Sequence, residues 1–381
     1  MTRTVPTTPA ADGFWMPGEF EPHGGCWMLW PERADNWREA AWPARQAFVR
    51  VAVAILQFEP VSVGVSGKHF EDARALLPEQ VRVIEMSHDD CWMRDVGPTF
   101  VVNSRGVLRG VDWQFNAWGG LEDGLYFPWD QDDLVARKVL EIEMRDRYRA
   151  SIVNEGGAIH TDGAGTALVT EQCLLNRNRN PQLTRNEIEA RLCDFLGVSR
   201  IIWLGKGVIN DETDGHIDNL ACFAAPGEVV LTWTDNRRDP QHAVSLDAWE
   251  RLNDARDARG QRLKVHKLPA PRPLLRTRKE AAGIIARAGT QSRRAGERLA
   301  ASYVNFYMAN GGIVMPLLDV RTDRAVASRL KRLFPKRRIT GVPAREILLG
   351  GGNIHCITQQ VPASGIRRRR PEPSTGSATA S

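Results

Sequence analysis

The sequence predicts an α/β fold assembled from five similar units, and three observations lead there. Segments with helical periodicity alternate with short β-rich runs along the body of the chain. No glycine-rich phosphate loop follows a strand: Gly205-Lys206-Gly207 and Gly350-Gly351-Gly352 both lack nucleotide-loop spacing, which disfavours a nucleotide-binding doubly wound sheet. Polar residues flanked by glycine or by apolar strands recur at even intervals, with Asp95, Glu155, His216 and Cys356 separated by 60, 61 and 140 residues. Five units of roughly 65 residues would each present one such loop, the first and fourth less conspicuously, and equivalent loops of repeated units meet around a common axis.

Helices are expected over residues 36–58, 68–77, 131–145, 185–196, 243–258 and 323–334. The fourth is the best marked, because Thr184 and Glu187 form a capping box and Gly197 supplies the stop. Strands are expected at 61–65, 81–86, 99–102, 107–113, 167–170, 200–204, 229–233, 313–316 and 338–342. Residues 1–12 carry no periodic pattern, and residues 363–381 are Arg, Pro, Ser, Thr and Ala with little to bury, so both ends are expected to be disordered.

With 42% hydrophobic and 25% charged residues, the 381-residue chain has ample material for a core. Its formal charge of +5 is nearly accounted for by Arg367, Arg368, Arg369 and Arg370, which leaves the body close to neutral. Basic runs fall in a helix-like stretch at 329–338 and in the tail, not along a face interleaved with aromatics, so nucleic-acid binding is not expected. No run reaches the roughly 18 apolar residues that span a bilayer, and the start lacks a basic-then-apolar signal pattern. The six cysteines form no Cys-x-x-Cys pair, which fits a reduced compartment; the expected location is the cytoplasm. A homo-oligomer is compatible with the sequence, which does not set the oligomeric state.

Four segments carry candidate chemistry. Residues 89–98 pack Asp89, Asp90, Arg94, Asp95 and two large side chains into a turn ending in Gly-Pro, expected to be exposed with Asp95 at the mouth of the fold and Trp92 beside it. An Arg94 ion pair with Asp95 or Asp90 that braces the loop is the bland alternative. In the second, Glu155 precedes two glycines that permit close backbone approach, as an ordinary hairpin edge also would. In the third, His216 and Asp218, read as two apart on a strand, would face one side and suit metal binding nearly as well as acid–base work. The last places Cys356 just past three glycines whose backbone must approach something closely, Gly352 being taken as a substrate-contacting position. A thiol, an imidazole and three carboxylates together suit attack on a planar cation such as a guanidinium, which carboxylates grip through paired charge-assisted hydrogen bonds. The same cation, with a protonated His nearby, would stabilise a thiolate. A metal hydrolase is the rival, disfavoured because His160, His216 and His355 stand in unrelated contexts.

These stretches resemble the agmatine deiminases, members of the Porphyromonas-type peptidylarginine deiminase group. Further matching motifs are residues 16–23, 27–31, 115–120, 173–181, 301–307 and 348–360, and the likeness covers roughly 13–362. The resemblance implies a single catalytic domain over those residues, a five-bladed α/β propeller of the pentein type with its site on a pseudo-fivefold axis. It implies Cys356 as nucleophile, His216 as general acid and then base, Glu155 as the partner orienting the His side, and Asp95 and Asp218 as the clasp on the guanidinium. It further suggests that Trp92 and Glu212 line the channel toward the substrate amine. Neither a metal nor an organic cofactor is implied. Two places depart from the family pattern: the region 269–278 is basic, with Arg272, Arg276 and Arg278, and Asp214-Gly215 precedes His216. The first bears on the amine end of specificity.

The implied reaction converts agmatine to N-carbamoylputrescine and ammonia through a covalent amidino-cysteine, in putrescine and polyamine biosynthesis. Deimination of arginine or peptidylarginine, transfer of the amidino group to an amine, and a non-catalytic binding protein on the same fold are the alternatives. The complete Cys, His, Glu and Asp set argues against the last.

Overall fold

Five separate sheets organise the computed structural model, which describes residues 2–366. The first orders Phe14–Trp15, Thr99–Asn103, Leu108–Gln114 and Arg147–Val153; the second, Arg200–Leu204, Thr166–Thr170 and His160–Thr161. The third holds Ala221–Ala225, Glu228–Trp233 and Lys264–Pro269, and the fourth Tyr307–Ala309, Gly312–Leu317 and Arg338–Pro343. The fifth joins the two ends of the chain: Gln359–Pro362 pairs antiparallel with His23–Leu29, which runs parallel to Val61–Val65 and then Arg82–Glu85.

One connectivity recurs in every sheet. A strand pairs antiparallel with the next, a helix crosses over, and a third strand returns parallel to the second. The crossover helices are Trp42–Leu56, Val135–Ile142, Arg185–Leu196, Pro240–Asp254 and Asp323–Leu333. A parallel return requires such a crossover, and each helix buries its apolar stripe on its sheet. In the second unit, Ile188, Leu192 and Leu196 pack into one cluster with Ile201 and Trp203. Burial of each such aliphatic side chain stabilises the fold by about 1.5–3 kcal/mol.

Local signals explain the helix ends. Arg185–Leu196 has its Thr184–Glu187 capping box and a left-handed Gly197 at φ 62°. The helix expected at 243–258 starts three residues earlier because the Asp239 side chain accepts from the Gln241 amide and Pro240 opens the first turn. Where 36–58 reads as one helix, a 3-10 turn at Glu39–Ala41 with left-handed Ala40 precedes Trp42–Leu56, and Pro43 sits in the first turn. The amino-terminal segment, expected to be disordered, is tied down: the Val5 amide donates to the Arg147 carbonyl at 2.8 Å and Arg3 pairs with Asp146. At the other end the Ala363 amide donates to the Pro22 carbonyl and Ile366 is buried, while residues 367–381 of the expected tail lie outside the described residues. Among the described residues no helix is long and apolar enough to cross a membrane.

Candidate active site

The loop before the first antiparallel strand of each unit runs to one buried centre. These loops carry Asp95, Glu155, His216 with Asp218, Asn305 and Cys356. Two local expectations need correction. Residues 89–98 are not an exposed turn: Asp90, Trp92, Arg94 and Asp95 are all buried, on and beside a short helix at Met93–Val96. Arg94 does not pair with Asp95 or Asp90; it donates to the His355 carbonyl and to Gln360 Oε1 at 2.7 Å. His216 and Asp218 lie not on a strand but at the start of the short helix Ile217–Leu220, with His216 as its N-cap residue.

Around His216 the contacts are ionic. Its Nε2 lies 3.4 Å from Glu155 Oε2 and its Nδ1 3.8 Å from Asp95 Oδ1. Burial works against a charged imidazole here, but Asp95 and then Cys173 and Glu155 more than offset it, so His216 is held well above the ordinary His range. Glu155 accepts from Arg179 Nε at 2.8 Å; burial raises its carboxyl, yet Arg179 and His216 hold it below the ordinary range.

Asp95 accepts from the Gly157 amide at 2.8 Å and from Trp118 Nε1 at 3.1 Å. Trp118 and its neighbour Ala117 both have positive φ, 64° and 54°, a strain that places this indole on the carboxylate. Burial, reinforced by Asp218 and Glu155 and opposed by His216, pushes the Asp95 carboxyl up to about 6. Asp218 Oδ2 meets His355 Nδ1 at 2.8 Å, while its Oδ1 is buried with no hydrogen-bond partner among the described residues. Burial raises Asp218 too, but His355 brings it below the usual value.

Cys356 is 6% exposed, its Sγ 3.2 Å from Asn305 Nδ2 and 3.7 Å from Asp218 Oδ2. Burial, then Asp218 and Asp95, push its thiol well above the ordinary range. Glycine is required on both sides of the centre. A Cβ on Gly157 would stand 2.5 Å from His216 Nδ1 and 2.8 Å from Asp95 Oδ1, and one on Gly352 would meet the Trp92 ring and, at 3.1 Å, the sulfur.

Asp95, His216, Gly352, Trp92, Glu212 and Cys356 line one cavity, and Glu155 and Asp218, beside His216 and Cys356, lie just outside its lining. Trp92 stacks on Trp37, with ring centroids 5.3 Å apart, and donates its indole N–H to Asp90. The basic region 269–278 does not reach the cavity: Arg272 pairs with Asp319, and buried Arg276 donates to the Leu349 carbonyl, bracing the glycine loop. Arg293, unmarked in the sequence, does reach the cavity, as does Arg33. Arg293 pairs with Glu212 and donates to Asn36 Oδ1 and the Gly350 carbonyl. Asp214 and Gly215, the second departure, build the wall: Asp214 accepts from Arg179 Nη1 at 2.9 Å and Gly215 packs on Gly207.

Two trios have metal-ligand spacing: Glu19, His160 and His355, and Glu155, Cys173 and His216. His160 and His355, read from sequence as unrelated, therefore meet at Glu19. The Phe223 amide donates to His160 Nδ1, so Nε2 carries the proton and faces Glu19 as a donor; in the second trio the Arg179 guanidinium already pairs with Glu155. His355 Nε2 meets Glu19 Oε2 at 2.8 Å, while His160 Nε2 and His216 Nε2 have no hydrogen-bond partner among the described residues.

A family profile, Porphyromonas-type peptidyl-arginine deiminase, matches residues 15–362. Agmatine deiminases of Pseudomonas aeruginosa and Ectopseudomonas mendocina are 56% and 55% identical, each alignment covering 94% of this chain and 98% of the relative. The solved agmatine deiminase of Enterococcus faecalis superposes with a TM-score of 0.93 at 49% identity, over 96% of this chain and all of that one. With the profile spanning nearly all of the described chain, this protein belongs to the Porphyromonas-type peptidyl-arginine deiminase family.

Proposed function

We propose that this protein is an agmatine deiminase, a hydrolase that acts on the carbon–nitrogen bond of a linear amidine and releases N-carbamoylputrescine and ammonia. The single observation that carries the mechanism is the convergence of the Cys356 thiol, the His216 imidazole and the Asp95 carboxylate on one cavity, with the Glu155 and Asp218 carboxylates buried directly beside them. The high identity to agmatine deiminases over nearly full length supports the substrate. The guanidinium lies between Asp95 and the unpartnered Oδ1 of Asp218, and as its charge cancels the field that keeps Cys356 protonated the thiol proton is released to solvent. The thiolate then adds to the guanidinium carbon. His216, oriented by Glu155, gives its proton to the departing nitrogen, the C–N bond breaks and ammonia leaves an amidino-thioether. Now neutral, His216 takes a proton from water; the hydroxide adds, the C–S bond breaks, the hydroxyl proton passes to the departing sulfur and the neutral ureido product is freed. Trp92 and Glu212, whose Oε2 has no hydrogen-bond partner among the described residues, receive the amine tail.

The five recurrent units are the blades of an α/β propeller with the site on its pseudo-fivefold axis, and residues 13–362 form its single catalytic domain. The reaction serves putrescine and polyamine synthesis in the cytoplasm, without a metal or organic cofactor. Incubating Cys356→Ala with agmatine and measuring the ureido product tests the mechanism: turnover should be undetectable, and normal turnover would end it. Ammonia release in the absence of an added amine separates hydrolysis from amidino transfer, and a panel of guanidines with and without a carboxylate separates agmatine from arginine.

A further inference from the structure

We infer that Asn305, from the loop of the fourth unit, is a catalytic residue whose side-chain N–H holds the Cys356 sulfur as it ionises. The inference rests on the reading of Cys356 as the nucleophile. Asn305 is fully buried, and both ends of its amide are committed. Its Oδ1 accepts from the His355 amide at 2.9 Å and the Cys356 amide at 3.4 Å. An acceptor facing two backbone N–H groups must be the oxygen, so the orientation of the amide is decided by the network and Nδ2 faces Sγ at 3.2 Å.

Other groups about the sulfur divide by sign. Asp218, from the helix Ile217–Leu220, and Asp95, from Met93–Val96, both oppose its ionisation, whereas the Asn353 backbone amide and the Asn305 side chain favour it. Of these, Asn305 is the side-chain donor at hydrogen-bond distance, and a hydrogen bond to an ionised acceptor is worth more than one to the neutral form. The loop around Asn305 is itself anchored. Ser302 Oγ meets Thr232 Oγ1 at 2.8 Å and accepts from the Val304 amide at 3.1 Å.

A residue that only braced the cysteine loop would tolerate Asn305→Asp, which keeps Oδ1 and its backbone contacts; a thiolate donor would not, because the change sets a carboxylate against the sulfur. The test is the pH dependence of iodoacetamide labelling at Cys356, followed by mass spectrometry of its peptide, in wild type, N305A and N305D. The midpoint should rise by about 1–2 pH units in N305A and further in N305D, with kcat falling more than KM changes. An N305D profile that coincides with wild type overturns the inference, and if N305A does not fold the isosteric variant decides alone. Turnover of agmatine by C356A would instead remove the nucleophile reading, whatever the labelling shows.

Discussion

Asp95 has to be ionised to grip a cation, yet burial and two neighbouring carboxylates push its carboxyl up to about 6. The sign follows from which form binds: below that value the group is protonated and neutral, and the clasp on the guanidinium is lost. The expected result is a kcat/KM for agmatine that falls as pH drops through about 6, and a profile flat from about pH 5 to 8 would contradict it. The same shift costs stability, because the unfolded chain ionises this carboxyl first; stability declines as pH rises from the ordinary carboxylate range through about 6. The five residues proposed for acid–base and nucleophilic work stood out in the sequence because each pairs a reactive side chain with nearby glycine or with an apolar run. Asn305 was not, since an amide has no titration to announce it, and Arg293 was not, since its place over the cavity depends on a loop with no periodic pattern.

The shortest elements do the positioning. The 3-10 turn Gly156–Ala158 brings the Gly157 backbone against His216, Asp95 and Asp218, where a Cβ would stand 2.5, 2.8 and 3.2 Å from their polar atoms. Gly157→Ala should therefore displace the imidazole or the clasp and lower kcat by roughly 10²-fold, the scale of an ångström-sized misplacement, while circular dichroism stays unchanged. Wild-type kcat in that variant would show that the turn does not set the geometry. Helices were legible from periodicity, whereas the seven-residue strands His23–Leu29 and Arg147–Val153 were missed, and so were the four-residue helices at Met93–Val96 and Ile217–Leu220, because one turn is too short to display a period.

At the scale of the whole molecule, Cys356, the proposed nucleophile, stands three residues before the strand Gln359–Pro362, which pairs Gln359 with Trp27 and Gln360 with Cys26. Placement of the sulfur thus depends on joining the two ends of the chain, and Gln360 also receives Arg94 from the Asp95 helix. A chain ending at Thr358 keeps every proposed catalytic side chain but should lose both cooperative thermal unfolding and turnover. Agmatine hydrolysis by such a truncated chain would refute this dependence.

By itself the sequence determined the α/β class, the crossover helices, one of them with its caps, and the identities of the thiol, imidazole and carboxylates, all of which are written in local pattern or residue chemistry. Only the tertiary structure decided that these groups are buried together, that His160 and His355 share Glu19, and that Asn305 faces the sulfur. Those facts depend on contacts between residues as far apart as Glu19 and His355, and such distances are set by how the five sheets assemble rather than by any window of the chain.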